Sequence, residues 1–403
     1  MRYLILVLLM ILAYSPVKNN KMVFKWTMAL YALFLSIRCG LGLDYFSYGY
    51  LYYTQPTLGE LIAGVETYHT QSLDPGYTYL VGILRVLNTS YEVFVAGLSI
   101  ISIILLYRFI VKYSKNYMLS LFVLYACYGI VILESTVRQS IAMMLLVTLA
   151  LPFIEKKAYI KAGIIMVIAY FMHATSFLFS AVLIVFYVDW SYRIVVKYWA
   201  KLMVIAIPVI FLINVIGLSN IILRLPLPTM LMEKAILYVA DGGGYSVVAA
   251  TYRIIMFCVI MVALYACDIE ERVRRMLYIL ASGYVIYFFF AQMSLLSRLT
   301  MYFEILEIVV VPALLYGAWR YRFLTSSTKN TLVAFCTVGY MVILALLFNN
   351  DMTYIAQTSG FDTNYVPYIS LFQKADLDDY FDREEDPIYS AYALLFDIPV
   401  KIE

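Results

Sequence analysis

Long apolar runs almost free of charge govern what this chain can fold into. One of them, LSLFVLYACYGIVIL from Leu119 to Leu133, carries no Asp, Glu, Lys, Arg or His. Runs of this kind recur along the sequence, so that 64% of the residues are hydrophobic and only 14% charged. A soluble domain carries roughly a quarter charged residues, and a water-soluble core of this size could not hide so much apolar surface. A bilayer can. Within lipid, every backbone N–H and C=O must be satisfied internally, which leaves helices or a closed barrel. The runs show no alternation of period two, so they are read as helices. The expected fold class is all-α: a polytopic integral membrane protein.

Spans are expected near 2–15, 23–37, 93–108, 117–133, 138–154, 158–172, 174–189, 199–218, 251–267, 275–292, 298–317 and 330–348, about twelve in all. The first run, Met1 to Ser15, lacks a small-residue cleavage site and reads as an anchor rather than a signal peptide. Lysine and arginine collect in cytoplasmic loops. Six connectors here are basic: Lys18–Lys25, Arg108–Lys115, Lys156–Lys161, Arg193–Lys201, Arg272–Arg275 and Arg320–Lys329. All six fall on one side if both termini lie outside. The rule also divides the run from Ala158 to Trp190 into two crossings, with a turn at FMHATS and His173 at its outer end. The short apolar stretch YTYLVGILRVL, near 77–89, does not fit the alternation as a crossing, so a re-entrant or interfacial outer helix is expected there. The domain reading is a transmembrane catalytic domain over 1–348, with outer loops 38–92 and 218–250. An acidic extracytoplasmic tail follows over 349–403, with eleven acids against three bases.

With the cytoplasmic cations and the termini set aside, the outer face keeps Arg38, Arg85, Arg138, Arg224, Arg253, Arg298 and one lysine, Lys234. Topology alone has no reason to choose arginine there. A planar guanidinium suits two-pronged contact with phosphate or carboxylate, so the group is read as an anion site. Partnership with nearby acids is the bland alternative for any one of them. Glu304 and Glu307 lie inside an apolar run, where a carboxylate is costly unless paired; Arg253 or Arg298 is the expected partner. Glu134 and Arg138, four residues apart at the lip of an apolar helix, would face each other across one helical turn.

Other outer residues carry polar chemistry. RCGLGLDYFSYGYLYY, from Arg38 to Tyr53, offers Asp44 among Tyr45, Tyr48 and further tyrosines, whose rings can stack on sugars and whose hydroxyls can bond them. An aromatic interface belt explains such tyrosines equally well. DPGY, Asp74 to Tyr77, is a turn signal. His173 can move a proton near neutral pH. NYVPYISLF, containing Tyr368, is the most ordered-looking part of the tail, and DGGGYS at Asp241–Ser246 lacks the lysine and hydroxyl of a phosphate-binding loop. The five cysteines form no CxxC pair, so no metal site and no disulfide framework is expected.

These pieces, in this order, resemble the EpsG family of bacterial exopolysaccharide proteins, which are Wzy-like polymerases. The resemblance rests on RCGLGLDYFSY after the second helix, DPGYTYL before a short apolar segment and VRQSIAMMLL opening a helix. KKAYIKAGIIMVIAYFMHATSFLF, SRLTMYF and VPY near the C-terminus complete it. Together they cover most of the chain. Asp74 stands where the family often has Glu.

The resemblance implies a GT-C-like, Wzy-like membrane glycosyltransferase at the outer face of the bacterial cytoplasmic (inner) membrane. Its substrate would be a polyprenyl (undecaprenyl) pyrophosphate-linked oligosaccharide repeat unit. The growing chain would leave its pyrophosphate and pass to the incoming unit, building exopolysaccharide, O-antigen or capsule without metal, cofactor or nucleotide sugar. On this reading Arg38, Arg138, Arg253 and Arg298 bind the pyrophosphate, which fixed cations stabilise electrostatically. Tyr45, Tyr48, Tyr77 and Tyr368 contact sugar. Asp44, Glu134 and His173 are the candidates for the base or the acceptor-orienting group. The partners expected besides the lipid-linked substrate are membrane lipid, a chain-length regulator and a flippase, and no nucleic acid. An O-antigen-type ligase would use the same donor. A flippase or transporter, or a non-catalytic assembly component, is the alternative of another class.

Overall fold

The computed structural model describes residues 2–39, 42, 44–65, 73–216, 247–267, 269–290, 298–316, 336, 338–349 and 372. Tyr368, the loop 217–246 and nearly all of the tail fall outside these residues, as does the side chain of Arg298. The described residues are overwhelmingly helical, with no β-strand among them. In chain order the helices are α1 (Arg2–Tyr14), α2 (Lys21–Ser36), α3 (Tyr45–Thr54), α4 (Leu58–Ile62), α5 (Pro75–Val86), α6 (Tyr91–Tyr113) and α7 (Tyr117–Val123). A π-helical stretch, Leu124–Ser135, follows. Then come α8 (Val137–Leu145), α9 (Leu151–Glu155), α10 (Tyr159–Met172), α11 (Ser176–Tyr187), α12 (Asp189–Ile216), α13 (Val247–Ala266), α14 (Glu271–Phe290), α15 (Met301–Glu304) and α16 (Glu307–Tyr316). The last described helix, α17, covers Val338–Asn349.

Among the described residues, four segments are long and apolar enough to cross a bilayer: Tyr91–Tyr113, Val137–Glu155, Val247–Tyr265 and Glu271–Phe290. A fifth would be the bent pair Ser176–Tyr187 and Asp189–Trp199. Five further apolar helices are shorter, among them Tyr3–Tyr14, Tyr159–Met172 and Val338–Asn349. At about 1.5 Å per residue a helix of this size covers some 20 Å, less than the roughly 30 Å hydrocarbon core. The expected span over 298–317 is interrupted: α15 ends at Glu304, and a turn of i→i+3 bonds through Ile305 and Leu306 precedes α16. Large apolar side chains point outward on many of these helices, with Leu30 66% and Ile160 83% exposed. That surface suits a lipid environment, and the protein is an all-helical membrane protein.

Local chemistry sets the helix ends. The Asn20 carboxamide accepts from the N–H groups of Met22 and Val23 at 2.9 and 3.2 Å and starts α2. Asn116 starts α7 by accepting from Leu119, while its own amide donates to the Ala13 carbonyl at 3.0 Å. That fully buried residue therefore ties the end of α1 to the start of α7. Thr57 and Glu60 form a capping box on α4, and the two Thr57 donors hold the Glu60 carboxyl below its ordinary range. Pro75 opens α5 at the first helical position, where its missing N–H costs nothing.

The described residues fall into two compact units. The first comprises Met1–Phe153, Ala158–Ala174 and Gly339–Glu403; the second comprises Ile154–Lys157 and Thr175–Val338. In the first, α2 lies along α6, α1 along α7, and α10 packs on both α5 and α8. In the second, α14 packs on α11, α12, α13 and α16. The helix break expected at FMHATS is present: α10 stops at Met172, His173 is extended at φ −158° and ψ 111°, and α11 begins at Ser176. The helix expected near 77–89 is present as α5. The basic connector Arg193–Lys201 is not a loop but the first half of α12.

Candidate functional site

Two clusters of buried charge stand out, one in each unit. The first is built where four separated stretches meet. Tyr45, Tyr48, Tyr52, Tyr77, Tyr91 and Phe94 form an aromatic core beside Val137, the first residue of α8. Each ring removes about 150–250 Å² from solvent, about 4–6 kcal/mol of transfer free energy before ordering costs. Burial pushes the Tyr52 hydroxyl up to about 12, with Tyr53 beside it adding to the effect. Burial, then Tyr48, likewise raises Tyr77 well above the ordinary range. Both phenols therefore stay protonated and can donate.

Arg138 enters this core from the first turn of α8. Its Nε donates to the Tyr48 hydroxyl at 3.1 Å and one terminal nitrogen to Asp74 Oδ2 at 2.9 Å. The guanidinium carbon lies 5.8 Å from the ring centroids of both Tyr48 and Tyr77. No described residue takes up its second terminal nitrogen, and the side chain is 22% exposed. Asp74 is the N-cap residue of α5, yet its side chain makes no capping bond. It is turned instead to Arg138 and, through Oδ1, to the N–H of Ala174 at 3.0 Å. One carboxylate thus joins DPGY, VRQS and the turn that carries His173. Gly76 makes the approach possible: a Cβ there would stand 2.8 Å from the backbone carbonyl of Phe171.

The partner of Arg138 is therefore Asp74 rather than Glu134. The one-turn register is broken because Thr136, at φ −88° and ψ 68°, belongs to neither the π-helical stretch nor α8. The side chains acting on Arg138 are Tyr48, Asp74 and Tyr77. Glu134 is 2% exposed, and its carbonyl accepts from Arg38 at 3.3 Å. Gly42, at φ +113°, comes close against that same carbonyl, and a Cβ there would collide with the oxygen. Arg38 is itself 2% exposed, with its other bonds to the Leu35 carbonyl and the Ser99 hydroxyl, both at 3.1 Å. Asp44 is the N-cap residue of α3 and makes no side-chain capping bond. Tyr45 is packed in the aromatic core, where its carbonyl accepts from the Tyr91 hydroxyl at 2.7 Å.

The second cluster lies between α13, α14, α15 and α16. Glu304 takes Arg253 on both oxygens, Nε at 2.5 Å and a terminal nitrogen at 3.0 Å. The other terminal nitrogen of Arg253 donates to the Ala249 carbonyl at 3.1 Å, and the guanidinium stacks 4.0 Å from the Tyr287 ring centroid. Glu307, fully buried, accepts from the hydroxyls of Tyr252, at 2.5 Å, and Tyr284. Glu304 thus has the arginine partner expected of an intramembrane carboxylate.

Sequence reasoning left Asp74 in the role of a turn residue. The signal that could have marked it is an acid placed directly before a helix-opening Pro-Gly, free to look away from its own helix. No group of three or more His, Cys, Asp or Glu among the described residues is placed to hold a metal ion. A family model described as "EpsG family" matches residues 21–370. No curated protein and no solved structure matches the chain.

Proposed function

This chain belongs to the EpsG family, and from that premise we propose that it polymerises polyprenyl-pyrophosphate-linked oligosaccharide repeats into exopolysaccharide. The reaction takes place at the outer face of the cytoplasmic membrane. The acceptor hydroxyl oxygen attacks the anomeric carbon of the donor sugar. The bond from that carbon to the pyrophosphate oxygen breaks, the lipid pyrophosphate leaves with its negative charge, and the hydroxyl proton passes to a base.

Arg138 is the observation that carries this reading to a residue. It is held in plane by Tyr48 and Asp74 while one terminal nitrogen is left open by the described residues. A guanidinium fixed in advance stabilises charge developing on a leaving group without reorganising at the moment of reaction. Its place in the first turn of α8 adds the positive end of a helix, which also favours an anion. Arg38 is 2% exposed with both terminal nitrogens bonded to protein acceptors, and Arg253 spends Nε and both terminal nitrogens on Glu304 and the Ala249 carbonyl, so we assign the pyrophosphate to Arg138. Tyr48 and Tyr77 border the donor sugar. Of Asp44, Glu134 and His173 we take His173 as the base. It is next in sequence to Ala174, whose N–H Asp74 holds, whereas Glu134 is buried.

The same reading takes about twelve crossings with both termini outside, supported by the six basic connectors. It requires no metal, and it takes a flippase and a chain-length regulator as partners. Deleting the gene in its host and resolving lipid-linked and surface glycans by size tests the reaction. Collapse of the ladder to a single repeat, restored by the wild-type gene and not by Arg138→Lys, is the expected result. A full-length polymer stranded on its carrier lipid would instead make this a ligase, and loss of repeats from the outer face would make it a transporter.

A further inference from the structure

The second unit carries a basic and aromatic helical face that the glycosyl-transfer site does not use. α11 ends at Tyr187, and the segment Asp189–Trp199 leaves it at 92°. Arg275 clasps the bend. Its guanidinium donates to the carbonyls of Phe186 and Tyr187 at 3.3 and 3.0 Å and to Asp189 at 3.0 Å. It also stacks 4.2 Å from the centroid of Tyr192. Lys157 takes the other oxygen of Asp189 at 3.2 Å. The elbow is thus held at both ends by charge-assisted bonds, which are the stronger kind.

Beyond the elbow, α12 buries Tyr192 and Trp199 and turns a different set of residues outward. Trp190, Arg193, Ile194, Lys197, Tyr198 and Lys201 are exposed, and their spacing of three and four places them on one helical face. Its cations reach no carboxylate among the described residues. Lys157, Arg272 and Arg275 nearby are each paired with an acid, whereas Lys197 and Lys201 stand over the Tyr198 ring at 5.3 and 6.0 Å. No acid occurs from Trp190 to Ile216. Arg193 to Lys201 spans about 12 Å along the helix, an unneutralised stripe flanked by Trp190 and Tyr198.

We propose that this face lies on the bilayer surface and binds the headgroups of anionic phospholipids. A segment at right angles to an apolar helix runs along the surface when that helix enters the membrane. Trp and Tyr favour the headgroup layer, and Lys and Arg are drawn to anionic lipid. The inference does not depend on the reaction proposed above.

The test uses the purified full-length chain in neutral detergent, titrated with dioleoyl phosphatidylglycerol or dioleoyl phosphatidylcholine, with bound lipids counted by native mass spectrometry. Phosphatidylglycerol should be retained in preference, and the preference should shrink as salt is raised. Each cation contributes about fivefold, so combining Arg193→Gln, Lys197→Gln and Lys201→Gln should weaken phosphatidylglycerol binding by about a hundredfold. Exchanging the same three cations for one another (Arg193→Lys, Lys197→Arg, Lys201→Arg) should keep it. Equal retention of the two lipids by the wild-type chain overturns the proposal and leaves the face to an acidic protein partner. A preference indifferent to salt, or unchanged in the neutralised variant, overturns it as well. If the neutralised variant does not fold, the wild-type lipid comparison at low and high salt decides alone.

Discussion

Arg138 in the first unit and Arg253 in the second are both mostly buried arginines beside a carboxylate and a tyrosine ring, yet they are used differently. Glu304 meets Arg253 with both oxygens, the Ala249 carbonyl takes a further donor, and Tyr287 covers the face. Asp74 meets Arg138 with one oxygen and spends the other on Ala174. The first arrangement is closed and holds helices together. The second is fixed but open. A two-pronged carboxylate consumes the edge of a guanidinium that an anionic ligand would need, so a carboxylate's divided loyalty is what leaves Arg138 available.

The sharpest way to break this comparison is to replace each arginine in turn. Arg138→Lys keeps the charge and loses the planar fork. Chain growth should fall by about 10²–10³, the range for removing one fixed donor, with the amount of folded protein unchanged. Full activity, read as a normal glycan ladder, would sink the role given to Arg138. Arg253→Ala should act on the fold instead. It strands Glu304, 3% exposed, and should cost about 3–5 kcal/mol, seen as a lower unfolding temperature in detergent. Adding Glu304→Gln should recover part of that loss, and strict additivity of the two changes would argue against the pair.

Smaller effects sharpen the picture. Gly76→Ala places a Cβ 2.8 Å from the Phe171 carbonyl and should cost about 1–3 kcal/mol. Because it also pushes the His173 turn away from Asp74, chain growth should fall more than stability does; a parallel fall would mean packing alone is disturbed. Asp74→Asn keeps the shape and removes the charge, so chain growth should drop about tenfold through a loosened Arg138, while Asp74→Glu keeps much of it. Tyr77→Phe should make the least difference to folding. Its hydroxyl is buried with no partner among the described residues, so losing it should leave stability level or raise it by about 1 kcal/mol. A loss of chain growth in that stable variant would place the hydroxyl on the sugar.

The two clusters were not equally legible beforehand. That Glu304 needs an arginine follows from the cost of an ion in lipid, and α13 supplies one. Asp74 offered no such compulsion. As an acid before Pro-Gly it is satisfied by being a turn, and its partners are 64 and 100 positions away. Spacing misled at Glu134 and Arg138, because four residues make one turn only in an unbroken helix and Thr136 breaks this one. The basic stretch Arg193–Lys201 was legible as a place of positive charge but not as a helix face, since its direction depends on how Arg275, 86 residues away from Asp189, clasps the bend.

Composition decided that this chain belongs in lipid, where the backbone must satisfy its own hydrogen bonds in helices or a closed barrel, and the lack of period-two alternation in the apolar runs decided for helices. Order and residue type along the chain decided the family. Which arginine is left open was a tertiary matter. Each guanidinium has five donors whatever its neighbours in sequence, and only packing settles how many of them the protein itself takes.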